Sequence, residues 1–108
     1  MIITVNLLIN DTGNPLVFEI SGHSDFADSG SDIVCAAVSS AAYMATNTIT
    51  DVIKAEAEVF VNGSGKMFLQ VSEKKISSCV DILLGFKLHV LALEEQYPKN
   101  ITVNYVEV

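Results

Sequence analysis

The sequence predicts an α+β domain in the order β-β-α-β-β-α-β, with two long helices packed on a mostly antiparallel sheet. Three observations support this prediction. Short segments with alternating apolar and polar residues come in pairs around turn residues, which is typical of hairpins. A long apolar segment, typical of a buried helix, follows each pair. The 108 residues are enough to form one hydrophobic core but not two. A single domain is therefore predicted over residues 1–108.

The first two strands form a predicted hairpin. Apolar residues alternate from Ile3 to Ile9 and again from Leu16 to Ile20. The residues 10–14 between them read Asn-Asp-Thr-Gly-Asn, and these residue types favour turns because they bond to the local backbone and tolerate positive φ. Two antiparallel neighbours joined by a tight turn are expected.

The first helix is predicted after a polar loop from Gly22 to Ser31. From Ile33 to Ile53 the residues are small and apolar, enough for about six helical turns. Apolar residues occur nearly all round this helix, which predicts burial between the sheet and another helix or subunit. The residues concerned are Val34, Ala37, Val38, Ala41, Ala42, Met44, Ile49 and Val52.

Two alternative caps begin this helix. Ser29 with Asp32 three residues later resembles a capping box, and Ser31 is a tighter alternative. Either cap places Cys35 within the first two turns.

The second half repeats the hairpin–helix arrangement. The segment from Lys74 to Gln96 is predicted to be a long helix, which Pro98 ends because proline cannot continue the hydrogen-bond pattern. Strands are predicted at 57–61, 67–71 and 101–105, with a Gly-rich hairpin turn at 62–65.

Charge and cysteine content exclude several classes of protein. Thirteen acidic residues against six lysines and no arginine give a net charge of -7, which argues against nucleic-acid binding. An acidic surface suits a cationic partner, or merely maintains solubility. The pattern at the start of the chain is not that of a leader peptide, and we expect no apolar run long enough to cross a bilayer. We therefore expect a cytoplasmic protein with reduced cysteines and no membrane partner.

The segment 22–40 carries the one arrangement suited to catalysis. A cysteine is a good nucleophile as its thiolate, and both a helix N-terminus and a nearby imidazolium lower the pKa of a thiol. Cys35 is predicted to lie near a helix N-terminus, and His23 lies across a short loop from it. Amides at the helix N-terminus are candidate oxyanion donors.

Each cysteine and histidine also has an ordinary structural explanation. A single cysteine in an apolar helix is commonly a core residue, which is how we interpret Cys79. His89 is interpreted as a hydrated surface group. A metal site built from the cysteines and histidines is disfavoured because the paired short spacings of zinc sites are missing. We predict no metal and no cofactor.

The segment 22–40 resembles the signature of the ribosomal-processing cysteine protease family. That signature has Gly-His, an aromatic residue three positions after the histidine, and Gly-x-Asp-Ile-Val-Cys-Ala-Ala followed by Ser. Ser24 and Phe26 stand where Gly or Ala and Tyr are common, and neither departure removes a catalytic group. The matching residues are Gly22, His23, Phe26, Ala27, Gly30, Asp32, Ile33, Val34, Cys35, Ala36, Ala37 and Ser39.

The resemblance implies an endopeptidase that removes the N-terminal extension of a basic bacterial large-subunit ribosomal protein (bL27 type). It implies Cys35 as the nucleophile and His23 as the base. Asp32, Ser39 and Gly22 become candidates for orienting, oxyanion or substrate contacts. Asp32 orients His23 or completes the helix cap, and Ser39 bonds into the site or permits close packing.

The resemblance also implies a homodimer, which would cover the apolar faces of both helices. Lys87 and Glu94 are predicted to pair with each other or across that interface. The loop between Gly22 and Gly30 is hypothesised to be mobile and to assemble the catalytic pair when peptide binds.

Two other functions remain open from the sequence. A non-catalytic ribosome-associated binding module would bind the basic partner without turnover and would have an unreactive Cys35. A redox-sensing thiol would need reversible oxidation at Cys35, and no resolving cysteine lies near it in sequence.

Overall fold

The computed structural model describes residues 3–22, 29–61 and 66–107, with residues 29–32 described by their backbone alone. Helix α1 leads directly into a π-helical turn, and a 3₁₀ turn leads into helix α2. The predicted α+β order is confirmed. The elements are β1 (Ile3–Ile9), β2 (Pro15–Ser21), α1 (Ser29–Asn47), the π turn (Thr48–Val52), β3 (Ala57–Val61), β4 (Met67–Val71), the 3₁₀ turn (Glu73–Lys75), α2 (Ile76–Gln96) and β5 (Ile101–Glu107).

The five strands form one sheet in the order β3-β4-β2-β1-β5. β1 pairs antiparallel with β2, β2 with β4, and β4 with β3. β1 and β5 run parallel, with Ile3 opposite Ile101. The sheet is therefore mixed and mostly antiparallel, as predicted.

The turn between β1 and β2 is built by Asn10. Its Oδ1 accepts hydrogen bonds from the amides of Thr12 at 3.1 Å and Asn14 at 2.9 Å. Gly13 takes φ +82°, a conformation that favours glycine because it lacks a Cβ. The predicted turn is confirmed with the local side-chain bonding that these residue types provide.

Both helices pack on one face of the sheet. Helix α2 lies across β2 and β5, and the ring of Phe86 stacks on Phe18 with 4.4 Å between ring centroids. Helix α1 packs beside α2. Buried residues of α1 share one hydrophobic core with Met67 and Leu69 of β4, the strand next to β2.

Helix α1 differs from the prediction at its start. It begins at Ser29, so the residues from Ser29 to Ser31 are helical and not loop. Ser31 lies inside the helix and is not its N-cap. The capping box of Ser29 and Asp32 depends on side chains outside the described part, so it stays a prediction.

Helix α1 also has a wetter surface than predicted. Met44 is 55% exposed and Val52 is 76% exposed, because one sheet and one neighbouring helix cover only part of the helix circumference. Val52 belongs to the π-helical turn, which the apolar pattern did not indicate.

Helix α2 ends at Gln96, ahead of Pro98, as predicted. Lys87 and Glu94 do not pair within the chain, so that alternative is wrong, and pairing across a dimer interface stays a prediction. Lys87 Nζ lies 3.5 Å from the carbonyl oxygen of Gly13, and 5.3 Å from the ring centroid of Tyr105. Glu94 Oε2 accepts a 2.7 Å hydrogen bond from the amide of Val103. Both side chains therefore attach α2 to the sheet and its turn.

By length and composition alone, two helical segments of the described chain could cross a membrane. They are Ile33–Val52 and Glu73–Gln96, with mean hydropathies of 1.2 and 1.7. By this criterion the expectation that no apolar run is long enough is wrong. Core helices of a globular protein meet the same criterion, and here the two helices pack against each other while α2 contacts the sheet. The expectation of no membrane partner stays a prediction.

Candidate active site

Cys35 lies on one flank of α1, as the seventh residue of that helix. It is 6% exposed and joins the core beside Val34 and Val38. At about 100° per residue, Cys35 lies 160–180° round the helix from Ala37 and Met44. Those two residues border the groove between α1 and α2. Cys35 therefore faces away from α2, toward the β4–β3 side of the sheet.

The early start of α1 changes the electrostatics predicted for Cys35. Free amides belong to the first four residues of a helix, and the dipole effect is confined to the first turn. Cys35 lies about 9 Å along the axis from Ser29 at 1.5 Å per residue. The helix N-terminus is thus a weaker source of thiolate stabilisation than predicted, and a loop base becomes more important.

Gly22 directly follows β2 and is the last described residue ahead of the segment 23–28. Its φ of +83° favours glycine, because a Cβ would be strained in this conformation. The preceding residue, Ser21, pairs with Thr4, so the chain leaves the sheet where β1 begins. Gly22 therefore turns the backbone at the end of β2, a role that the sequence pattern did not indicate.

The predicted base lies outside the described residues. These begin again at Ser29 after Gly22, so His23 and its distance to Cys35 are not described, and neither is the side chain of Asp32. The His–Cys pair, the orienting role of Asp32 and the mobility of the loop stay predictions.

Ser39 lies one helical turn after Cys35 and is half-buried. Side chains four residues apart share a helix face, so both lie on the same flank of α1. The structure confirms their shared flank. Whether Ser39 bonds into the site stays a prediction.

The two remaining chemistry-bearing residues have structural surroundings. Cys79 is fully buried in the core, and burial raises the pKa of its thiol, so it is protonated at neutral pH. His89 is exposed on α2 and borders the groove with α1, away from the flank of Cys35. Both interpretations made from the sequence are confirmed. In the described ranges, no three His, Cys, Asp or Glu side chains are grouped to hold a metal ion.

Sequence reasoning missed Thr46. It is 6% exposed, and its hydroxyl has no hydrogen-bond partner among the described residues. Thr46 is eleven residues after Cys35, which puts it on the same flank but about 16 Å along the axis. The spacing of Cys35, Ser39 and Thr46 could have indicated this polar flank. Thr46 is too far along the helix to contact reacting atoms at Cys35.

Known proteins with a similar sequence are proteases. The ribosomal processing cysteine protease Prp of Staphylococcus aureus, from strains Mu50 and NCTC 8325, is 28% identical over 104 residues. The match covers 95% of this chain and 98% of each relative.

Solved structures share the whole fold. S. aureus Prp in complex with a substrate peptide matches with a TM-score of 0.88 at 25% identity, over 97% of this chain and 100% of that one. The same protease with a covalently linked product peptide matches with a TM-score of 0.85 at 26% identity, over the same shares of both chains. SMU.848 from Streptococcus mutans has a TM-score of 0.87 at 21% identity, covers both chains fully, and supports the fold alone.

The fold, the buried helix cysteine and these similarities define a cysteine protease of α+β architecture. The chain belongs to the family described as Cysteine protease Prp, whose model matches residues 2–102. The resemblance to this family and the prediction of an enzyme are thereby confirmed.

Proposed function

We propose that this protease removes the N-terminal extension of a basic large-subunit ribosomal protein of the bL27 type, with Cys35 as nucleophile and His23 as base. The observation that carries this proposal is the position of Cys35. It lies on the flank of α1 that faces away from α2, on the helix that comes six residues after His23 in the sequence. The relatives named above as ribosomal processing proteases support the same substrate class.

The proposed mechanism has two covalent steps. The Cys35 thiolate attacks the carbonyl carbon of the scissile peptide bond, and the His23 imidazolium donates its proton to the departing amine. A thioester links Cys35 to the acyl part of the substrate. His23 then accepts a proton from water, the resulting hydroxide attacks the thioester, and the thiolate leaves.

The charge of the chain supports a basic substrate. The net charge of -7 attracts a cationic protein and raises the rate of productive encounter. Added salt should therefore lower kcat/KM mainly through a higher KM.

The direct test is cleavage of a precursor that carries its N-terminal extension. The wild-type protein should release the extension at one bond, as detected by mass spectrometry. Cys35→Ala and His23→Ala should each abolish release while circular dichroism shows an intact fold. Cys79→Ala is the matched control and should cleave normally. Full cleavage by Cys35→Ala would exclude the proposed mechanism.

The same experiment distinguishes the non-catalytic alternative. A binding module would hold the precursor tightly without releasing the extension, and Cys35 would react with iodoacetamide at the pH of an ordinary thiol. A protease would show thiol reactivity at lower pH, because the imidazolium stabilises the thiolate.

We also propose that the protein is a cytoplasmic homodimer in which the helices meet. Leu88 on α2 is 67% exposed, and Tyr43 and Met44 on α1 are 47% and 55% exposed. Met44 borders an open groove of about 340 Å³ between the helices. Exposed apolar side chains on two neighbouring helices are typical of subunit interfaces.

The oligomeric state tests this part of the proposal. Leu88→Lys should shift the protein from dimer to monomer in sedimentation velocity. Asn104→Lys, on the sheet face opposite the helices, adds the same charge and should remain dimeric. A wild-type monomer at micromolar concentration would exclude the dimer. Cell fractionation checks the location.

A further inference from the structure

The two edges of the sheet differ in how they are covered. At the β5 edge, Glu94 of α2 accepts the hydrogen bond of the Val103 amide at 2.7 Å, and Lys87 lies over the ring of Tyr105. At the β3 edge, no described residue pairs with the outer side of the strand. Exposed sheet edges are templates for pairing with another extended chain, and natural proteins usually protect them.

The register shows which backbone groups β3 presents outward. Ser72 donates a 2.9 Å hydrogen bond to the carbonyl of Glu56, which makes these two residues a hydrogen-bonded pair of the antiparallel ladder. Bonded pairs alternate with non-bonded pairs, so Glu58 and Phe60 also bond to β4. The amides and carbonyls of Ala57, Val59 and Val61 therefore point away from the sheet.

The side chains along this edge are apolar and half-exposed. Val59, Phe60 and Val61 are 44%, 52% and 49% exposed. Unlike edge strands blunted by lysine or proline, the described part of β3 carries neither. The edge therefore combines free backbone groups with apolar contact surface on both sides, which is what an added strand requires.

Charge selects the occupant. The β3 edge begins at an open cavity of about 550 Å³ bordered by Glu56, Glu58 and Glu73, with Gln70 and Ser72. None of these three carboxylates forms an ion pair within the described chain. Lysines 54, 74 and 75 are close in sequence, but none of them borders the cavity. A second copy of this acidic chain would bring more negative charge to this edge, whereas a cationic segment would neutralise it.

The β3 edge runs from the cavity toward the end of the sheet at which Cys35 lies. α1 continues through the π turn, and a short linker returns the chain into β3, so α1 and β3 run in opposite directions. The start of β3 therefore lies at the C-terminal end of α1, and Val61 lies toward Cys35. From Glu56 to Val61 is about 17 Å at 3.3 Å per residue, or five residues of extended chain.

We propose that β3 binds an extended segment of the substrate as a sixth strand, and that lysine or arginine side chains about five residues from the scissile bond enter the cavity at Glu56 and Glu58. This inference rests on the proposed protease function and adds a second binding element to it. Backbone pairing supplies affinity without sequence selection, and the carboxylates supply preference for positive charge.

Binding is measured with Cys35→Ala, which holds the substrate uncut. Three labelled junction peptides are compared: one with two lysines five residues before the bond, one with them five residues after it, and one with glutamine at all these positions. One lysine peptide should bind at least tenfold more tightly than the glutamine peptide. Glu56→Lys/Glu58→Lys should remove this difference, and the matched variant Glu95→Lys/Glu107→Lys should keep most of it. Equal binding of all three peptides, or equal losses in both double variants, would overturn the proposal.

Backbone pairing has its own readout. On peptide binding, the amides of Ala57, Val59 and Val61 should exchange with deuterium at least tenfold more slowly, whereas those of Glu58 and Phe60, already bonded to β4, should change little. Val59→Pro removes one outward donor and should weaken binding, with Val59→Thr as its control. If the proline variant does not fold, amide exchange in Cys35→Ala decides alone.

The two proposals fail separately. Unprotected β3 amides in a complex that the wild-type protein cleaves would exclude the strand and leave the protease function intact. Protected amides without any cleavage would exclude the protease function and leave the binding edge.

Discussion

Cys35 and Cys79 are both buried near the start of a long helix, yet their surroundings differ. Cys79 is the fourth residue of α2, closer to its helix N-terminus than Cys35 is to that of α1. Burial nevertheless raises the pKa of Cys79, because the core offers no group that stabilises a thiolate. Cys35 lies on a flank of α1, the helix that follows the segment with His23 in the sequence. Proximity to a helix N-terminus is therefore insufficient to make a cysteine a nucleophile.

The largest expected effect separates the two thiols by activity. Cys35→Ala should lower kcat/KM by at least about a thousandfold, because no other group supplies the nucleophile. Cys79→Ala should change kcat/KM by less than about twofold, since its thiol takes no part in the reaction. Rates of peptide cleavage for both variants check this. Comparable losses in both would contradict the assignment of roles.

The second effect concerns the helix faces that carry these cysteines. Phe86 on α2 is 2% exposed and stacks on Phe18, so Phe86→Ala should lower the free energy of unfolding by about 3–5 kcal/mol. Met44 on α1 is 55% exposed, so Met44→Ala should cost below about 1 kcal/mol. Urea unfolding of dilute protein measures both. A large cost at Met44 would show that α1 is covered in solution.

The third effect tests how α2 is attached to the sheet. Glu94→Ala removes the acceptor of the Val103 amide and should cost about 1–2 kcal/mol. The neighbouring Glu95 is exposed, and Glu95→Ala should be within about 0.5 kcal/mol of the wild type. The same unfolding measurement compares the pair. Equal values would mean that the Glu94 contact adds nothing to stability.

The smallest effect appears at alkaline pH. Burial raises the pKa of Cys79, and burial with the nearby charge of Glu94 raises the pKa of Tyr105. Above pH 9.0, the ordinary pKa of a thiol, Cys79 keeps its proton in the folded chain and loses it in the unfolded chain. The free energy of unfolding should therefore fall as pH rises past that value, with the full contribution of both groups present below it.

Two variants show how much of this fall in the free energy of unfolding comes from Cys79 and how much from Tyr105. Cys79→Ala should remove the part that begins near pH 9.0, and Tyr105→Phe the part that begins near pH 10.0. Denaturant unfolding from pH 8 to about pH 11 gives the slopes. Unchanged slopes in both variants would assign the loss to other groups.

The strands could be predicted because their signal is local. Alternation of apolar residues within each segment matches the burial of Val5, Leu7, Phe18 and Ile20 on the helix-covered face. The parallel pairing of β1 with β5 could not be predicted, because it joins residues such as Ile3 and Ile101 that no local pattern connects.

The start of α1 was predicted too late for a physical reason. The residues Ser29 to Ser31 include Gly30 and have low intrinsic helix propensity, so the local pattern favours a loop there. In the fold they extend a helix whose later turns are fixed by packing, and propagation onto an existing helix is far easier than nucleation. Cys35 was identified from its chemistry and family resemblance, but its flank became clear only once α2 located the opposite side.

The parallel pairing of β1 with β5 also has a kinetic consequence. β1 is an interior strand of the sheet, with Val5 and Leu7 fully buried, yet one of its two neighbours is the last strand of the described chain. During synthesis β1 and β2 can form their hairpin early, while the other side of β1 waits until Ile101–Glu107 leaves the ribosome. Loops this long close slowly, so folding should be governed by this final pairing. Deletion of β5 would leave β1 as an uncovered, apolar edge strand, and aggregation rather than a smaller active enzyme is the expected outcome.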